Sequence, residues 1–298
     1  MDTHQSPIFK GAATALITPF RDGKIDFDAL SRLIEFQIER QIDALVIAGT
    51  TGEVSTLTDE EHKQLLRFAV KQTAGRVPVI AGTGSNDIAH AVDISRFACD
   101  CGCDALLVVT PYYNRASEEG LIKSYRKIAD SVYRPIILYN VPARTGVKLT
   151  VPVYRALAEH PNIVAVKEAS GDLGAAARII AELGSRLTVY SGNDDVNVPI
   201  LSLGGLGTIS VLSNLMPRET SAMCHKYLDG DVKGAAEEQL RLLPLVDALF
   251  ADVNPIPVKC AAAMLGFCRE EYRLPLCAPS PAVRSRLAEA LANAGLLR

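Results

Sequence analysis

The sequence has no excess of positive charge. Its 31 lysines and arginines stand against 34 aspartates and glutamates, a formal net charge of −3, so it offers no basic field to nucleic acid or to an anionic membrane surface. No apolar run reaches the length of a membrane-spanning helix, and Met1-Asp2-Thr3-His4-Gln5-Ser6-Pro7 lacks the charged-then-apolar pattern of a secretory leader. Seven cysteines are an odd number in a chain without a secretory signal, which predicts reduced thiols in a cytoplasmic protein rather than a disulfide framework. The five histidines are scattered with no metal-ligand spacing and no fit to a nucleophile–base pair; they read as surface or local hydrogen-bonding residues. Cys99-x-Cys101-x-Cys103 lies at a helix end without a second Cys/His cluster, so packing thiols are expected there and not a metal site. Gly82-Thr83-Gly84 lacks the third glycine of a dinucleotide fingerprint.

What is present is a chain of 298 residues, 48% hydrophobic and 22% charged, able to bury a sizeable core in one large domain or two. Short apolar runs alternate with longer amphipathic stretches, with no low-complexity segment or Gly/Ser linker between them. The runs begin at residues 12–19, 44–48, 77–82, 105–110, 136–140, 162–167, 187–191 and 207–211, and each is followed by a predicted helix. Those helices cover 27–40, 59–73, 87–99, 117–132, a stretch starting near Val151, 173–183, 198–203 and 218–228. Asp59-Glu60-Glu61 fills a first helical turn, where negative charge complements the dipole, with Thr58 as its cap. Eight strand–helix units of this size predict a parallel (β/α)8 TIM barrel, with an open α/β sheet as the alternative that periodicity leaves standing. From about Val232 the strand-like runs stop, and three helices are expected over 235–250, 256–266 and 281–295. A boundary near Gly230-Asp231 therefore divides a barrel catalytic domain, 1–230, from a C-terminal helical domain, 231–298.

The sixth run, Ile163-Val164-Ala165-Val166, ends in Lys167. A lysine delivered by a strand buried on both faces is unusual, because lysine is almost never fully buried unless paired or working. An ammonium in apolar surroundings loses hydration and is driven toward the free amine, which attacks carbonyl carbon to form a Schiff base. The other reading is a head group that emerges into solvent past the strand end. In a barrel the chemistry collects at the C-terminal strand ends. There the sequence places Gly49-Thr50-Thr51-Gly52-Glu53, able to cradle a small anion though taken alone more often an ordinary turn; Thr110-Pro111-Tyr112-Tyr113-Asn114; and Tyr139-Asn140-Val141-Pro142-Ala143-Arg144-Thr145-Gly146. A phenol at Tyr139 can relay protons, and Arg144 is a fork for a substrate carboxylate. Lysine, tyrosine, arginine and a hydroxyl-rich cradle together suggest Schiff-base chemistry on an α-keto acid, whose imine loses a proton to become an enamine nucleophile toward a second carbonyl.

At these residues, and at Val166-Lys167-Glu168 and Asn254-Pro255-Ile256-Pro257-Val258-Lys259, the chain resembles the dihydrodipicolinate synthase family, in the N-acetylneuraminate lyase superfamily of class I aldolases, from about Phe9 to Leu297. The resemblance implies an imine between Lys167 and pyruvate, and a proton relay of Thr51, Tyr139 and Tyr113, the last reaching across from a neighbouring subunit. It implies that Thr50 and Thr51 hold the pyruvate carboxylate and that Arg144 binds the carboxylate of L-aspartate-4-semialdehyde. Gly192 and Ile209 match the family's backbone contacts near the lysine. The implied product is 4-hydroxy-tetrahydrodipicolinate, on the way to diaminopimelate and lysine, made by a homotetramer (a dimer of dimers) without metal or organic cofactor. In family members that lysine inhibits, a Ser, a His and a Glu stand where this chain has Val54, Asp59 and His90, while Tyr112, His62 and Asn86 fit; weak or absent lysine inhibition is the expectation. Two other readings stay open: a pyruvate-dependent lyase on a keto-sugar acid such as N-acetylneuraminate, and a barrel that has lost catalysis and serves to bind a ligand.

Overall fold

The computed structural model describes residues 6–297. The first barrel strand, β1, is Gly11–Ala15; a small antiparallel hairpin follows, β2 (Phe20–Arg21) and β3 (Lys24–Ile25). The remaining barrel strands are β4 (Ala44–Ile47), β5 (Val79–Gly82), β6 (Ala105–Val109), β7 (Ile136–Asn140), β8 (Ile163–Glu168), β9 (Thr188–Ser191) and β10 (Gly207–Ser210). All eight pair in parallel with their sequence neighbours, and β1 pairs with both β4 and β10, Gly11 opposite Gly207, which closes the barrel. The expected alternation is therefore met by a (β/α)8 barrel and not by an open sheet.

The period of two along each strand sorts side chains into two cores. Ala13, Ala15, Ala44, Val46, Ile80, Leu107, Ile137, Ala165 and Ile209 fill the barrel interior, while Leu45, Ile47, Leu106, Val108, Leu138 and Val166 face the helices. Phe9, just ahead of β1, stacks on Tyr190 at 4.2 Å between ring centroids and accepts the Tyr190 hydroxyl proton at its carbonyl.

Between β7 and β8 the ladder slips: Ile136 pairs with Ile163, but Ile137 pairs with Ala165. This bulge adds one residue to β8 and sets the register beyond it, so that Tyr139 lies opposite Lys167 and Asn140 opposite Glu168. Lys167 shares the inward face of Ala165; Glu168 shares the outward face of Val166.

Expected and observed elements differ in several places, among them the following. The first strand ends at Ala15 and not at Pro19: Leu16 N–H still reaches Val46 O, but Ile17 N–H is diverted to Asn214 Oδ1 and the Thr18 hydroxyl donates to Gly52 O. The β2–β3 hairpin turns on Asp22-Gly23, both at positive φ (53° and 77°), the geometry that an Asp-Gly pair favours. The helix over 117–132 stops at Ala129. Thr58 does cap the Asp59–Thr73 helix, within a full capping box with Glu61.

The tail forms helices Val232–Leu249, Ile256–Met264 and Pro281–Asn293. The Gln239 side chain donates to Asp194 O and accepts from Val198 N–H, fastening the first of them to the barrel's outer layer. Farther on, Arg273 forks onto Glu61 with bonds of 2.6 and 2.8 Å. The hydrogen bond from Arg273 is the main reason the Glu61 carboxyl is lowered to about 2. A carboxylate held below its unfolded value of about 4.3 contributes stability that is complete above that pH and is lost as pH falls through the folded value. Glu61→Gln is expected to lower the unfolding free energy in urea at pH 7 by about 1.5–3 kcal/mol. The gap between the two proteins should close between pH 4.3 and 2, by the same linkage of about those two values; a gap unchanged by acid would show that the Arg273 clasp is not its source.

Candidate active site

The floor of the site is Lys167 on Tyr139. Lys167 is only 6% exposed, and among the described residues it forms no ion pair. Its Nζ lies over the face of the Tyr139 ring, 4.4 Å from the centroid, where the ring quadrupole attracts positive charge. Gly192 leaves the space that the lysine stem occupies: a Cβ there would stand 3.1 Å from Lys167 Cε and 2.6 Å from Ala169 Cβ. The Gly192 N–H donates to Glu168 O at 2.7 Å, tying β8 to the loop after β9. Ile209, fully buried in β10, packs in the same interior cluster as Tyr139 and Ala165.

Behind the lysine, on the helix side of the strands, Glu168 is buried without a cationic partner. It is held by Asn140 Nδ2 at 2.9 and 3.2 Å, Ser170 N–H at 2.8 Å and the Tyr154 hydroxyl at 3.3 Å. Burial, and then the Glu168 charge, push the Tyr154 phenol well up, so it stays a donor. The ends of β7 and β8 are thereby clamped side chain to side chain, directly behind the Tyr139–Lys167 pair.

The cradle follows β4. Glu53 takes a left-handed backbone conformation (φ 54°), as does Ala48 (φ 56°), strain that tertiary contacts have to hold. The contact at Glu53 is Lys259, a second buried lysine, whose Nζ lies 2.5 Å from Glu53 Oε1 and 3.9 Å from the Phe20 ring centroid. Desolvation pulls the Lys259 ammonium down and the Glu53 charge opposes it. The chain thus buries two lysines, one with a counter-charge and one without.

Two residues before that helix, Asn254 donates from Nδ2 to Thr51 Oγ1 at 3.0 Å. With that lone pair filled, the Thr51 proton is turned away from Asn254. The carbonyl of Asn254 accepts from Arg144 at 2.9 Å, fixing the guanidinium that the short turn Pro142–Thr145 presents. One tail residue therefore orients both the cradle hydroxyl and the arginine.

Above these groups a cavity of about 800 Å³ takes in Thr50, Thr83, Val109, Tyr112, Tyr113 and Arg144. Lys167 and Tyr139 lie deeper, within the barrel. Tyr113 stands at the rim at positive φ (70°) and is 89% exposed. Val54, Asp59, His62 and His90 line the same cavity, with His90 Nδ1 3.8 Å from Asp59 Oδ1. Of the two readings for the histidines, surface or local hydrogen bonding, His62 is not at the surface: it is buried, burial lowers it to about 4, and its Nε2 has no hydrogen-bond partner. His4 lies outside the described residues.

A buried, unpaired lysine beside a phenol, roofed by hydroxyls and a guanidinium, is equipped to attack a keto group and hold a carboxylate. The chain matches the model of the dihydrodipicolinate synthetase family over residues 8–294. It belongs to that family. It is 49% identical over 291 residues to a 4-hydroxy-tetrahydrodipicolinate synthase of Caldicellulosiruptor saccharolyticus, covering 97% of this chain and 98% of the relative. A 4-hydroxy-tetrahydrodipicolinate synthase of a Thermoanaerobacter species is 48% identical over 98% of this chain and 99% of its own. The crystal structure of a dihydrodipicolinate synthase from Aquifex aeolicus superposes with a TM-score of 0.95 at 44% identity, covering 97% of this chain and 99% of that one.

Sequence reasoning reached Lys167, Tyr139, Thr50, Thr51, Tyr113, Arg144, Gly192 and Ile209 and gave no role to Asn254, Lys259, Glu53, Asn140 or Glu168. The available signal was a lone charge, Lys259, inside the apolar Ile256–Met264 helix; its partner is 206 residues away in sequence. Lys259→Met strands Glu53 as an uncompensated buried carboxylate, and a loss of about 3–5 kcal/mol in urea unfolding is expected. Adding Glu53→Gln should restore about half of it, because the stranded charge is then gone. Equal losses in the single and double variants would show that the pair's charge is not what holds the cradle.

Proposed function

We infer that this chain condenses pyruvate with L-aspartate-4-semialdehyde through a lysine Schiff base, forming 4-hydroxy-tetrahydrodipicolinate in the biosynthesis of diaminopimelate and lysine. The observation that carries the reading is Lys167, buried without a counter-charge against Tyr139. Its amine attacks the keto carbon of pyruvate, water leaves, and the imine forms. Withdrawal of electrons into the imine lets the methyl carbon give up a proton, and the enamine attacks the aldehyde. Thr51, Tyr139 and Tyr113 carry the protons; the hydrogen bond from Asn254 supports the role of Thr51, since it directs the hydroxyl proton away from the tail. Thr50 and Thr51 hold the pyruvate carboxylate, Arg144 the carboxylate of the second substrate, and Gly192 and Ile209 shape the space around the imine. Cleavage of a keto-sugar acid finds no comparable support: the relatives at 48–49% identity carry the synthase name.

The near-complete exposure of Tyr113 supports an assembly in which a neighbouring copy receives it, a homotetramer built as a dimer of dimers. We place the catalytic domain at 1–230 and the helical domain at 231–298, the latter serving the site through Asn254 and Lys259. Seven free thiols support a reducing cytoplasmic setting, and no described helix is long and apolar enough to cross a membrane.

Borohydride added with pyruvate should label Lys167 irreversibly; an unlabelled Lys167 would end the Schiff-base mechanism. Arg144→Ala should keep that label and raise the KM for aspartate semialdehyde by about 10- to 150-fold, the loss of a charge-assisted pair of about 1.5–3 kcal/mol. A label without condensation activity would instead move the second substrate to another aldehyde.

Lysine is expected to inhibit weakly or not at all. Val54 brings no hydroxyl to the rim cavity, and its carboxylate is Asp59, already facing His90. Half-inhibition well below about a millimolar, where a ligand gains some 4 kcal/mol of binding, would contradict this.

A further inference from the structure

We propose that Cys101 and Cys103 form a thiol–disulfide exchange site, at the end of the barrel opposite the catalytic lysine, that a low-molecular-weight disulfide closes into an intramolecular bridge. The helix Ile88–Asp100 ends in a tight reversal, with Cys101 N–H donating to Phe97 O, Gly102 N–H to Cys99 O and Cys103 N–H to Ala98 O. Gly102 sits at φ 96°, a conformation open to glycine and strained for other residues, and it turns the two flanking side chains toward each other. Their sulfurs are 3.8 Å apart, within about 2 Å of the separation in a disulfide, near 2.05 Å. The same reversal feeds β6 from its N-terminal end, one strand length from Thr110 and the rim tyrosines.

The two thiols differ in the way that exchange requires. Cys101 is partly exposed and Cys103 is wholly buried. The contact between the two sulfurs, in which either can donate, and with it the Arg67 guanidinium hold the Cys101 thiol below its ordinary value, while the same contact and burial push Cys103 up. An attacking thiol is most effective when it ionises near ambient pH. The neighbouring Cys99 is buried, and burial pushes its thiol up, which leaves it a bystander. The Asp104 carboxylate, next in sequence, is already engaged by Val79 N–H at 2.9 Å. Among the described residues no cluster of three or more Cys, His, Asp or Glu could hold a metal ion there.

The step balances without further reagents. The Cys101 thiolate attacks one sulfur of the small disulfide, forming a mixed disulfide and expelling one thiolate. Cys103 loses its proton, attacks the Cys101 sulfur and expels the second. Two cysteine thiols are oxidised and the small disulfide is reduced to two thiols.

The test uses the full-length chain and glutathione disulfide, followed by alkylation, trypsin and mass spectrometry of the fragment from Phe97 to Arg115. The expected product is lighter by two hydrogens at Cys101 and Cys103, with Cys99 alkylated. Cys103→Ser should instead retain one glutathione adduct on Cys101, and Cys101→Ser should acquire neither bridge nor adduct in this fragment. The exposed Cys277 provides the reference for a thiol that forms an adduct but cannot bridge. Bridge formation should change pyruvate labelling of Lys167 by less than twofold. Alkylation of both Cys101 and Cys103 in the treated wild type, a persistent adduct on Cys101 with Cys103 present, or a bridge surviving in Cys101→Ser would each overturn the proposal.

Discussion

Lys167 is kept out of water and, among the described residues, out of any ion pair, two conditions that together favour an amine as a nucleophile. Either condition alone is easy to satisfy: a surface lysine has no obligatory partner, and a buried one normally has a counter-charge, as Lys259 has in Glu53. Meeting both demands a site in which the nearest groups are a ring face, small apolar residues and glycine. Tyr139 supplies the ring, Ala165 and Ala169 the small residues, and Gly192 the space for the stem. The one carboxylate next in sequence, Glu168, is turned to the opposite face by the pleat of β8 and saturated there by Asn140, Ser170 and Tyr154. A lysine flanked by glutamate in sequence is thus insulated from it in space.

The tail completes what the barrel leaves loose. A cradle loop with a non-glycine residue at positive φ does not hold itself, and the Lys259–Glu53 pair pins it from a helix that begins after residue 255. Asn254 then uses its side chain on Thr51 and its carbonyl on Arg144, so the cradle hydroxyl and the guanidinium are both set by one residue. The helical extension is part of the site's construction.

The barrel could be read from the chain because its signal is local and repeated. Runs such as Ala105–Val109 are too short and too uniformly apolar for helices and are separated by stretches of helical period, and eight repeats leave few topologies. The errors fell where tertiary contacts compete with local pattern. Leu16 and Ile17 look like a continuation of β1, yet Ile17 gives its N–H to Asn214, 197 residues on. The Asp22-Gly23 turn had a local signal that went unread, and nothing in the helix of His62 reveals how deeply that side chain is buried in the cavity wall.

By itself the sequence determined the kind of chemistry. One lysine ends a buried strand, one tyrosine ends the preceding strand, and hydroxyls and an arginine follow other strands, because residue type and period are properties of the chain alone. Only the tertiary structure decided that these groups meet. The slip between Ile136 and Ile137 is a matter of one residue in a ladder, and no local preference encodes it, yet it puts Tyr139 opposite Lys167 where an unbroken ladder would have put Val166. Likewise Lys259 finds Glu53, and Asn254 finds Thr51, across more than 200 residues. Such pairings depend on how barrel and tail close on each other, and closure is a property of the whole chain rather than of any segment.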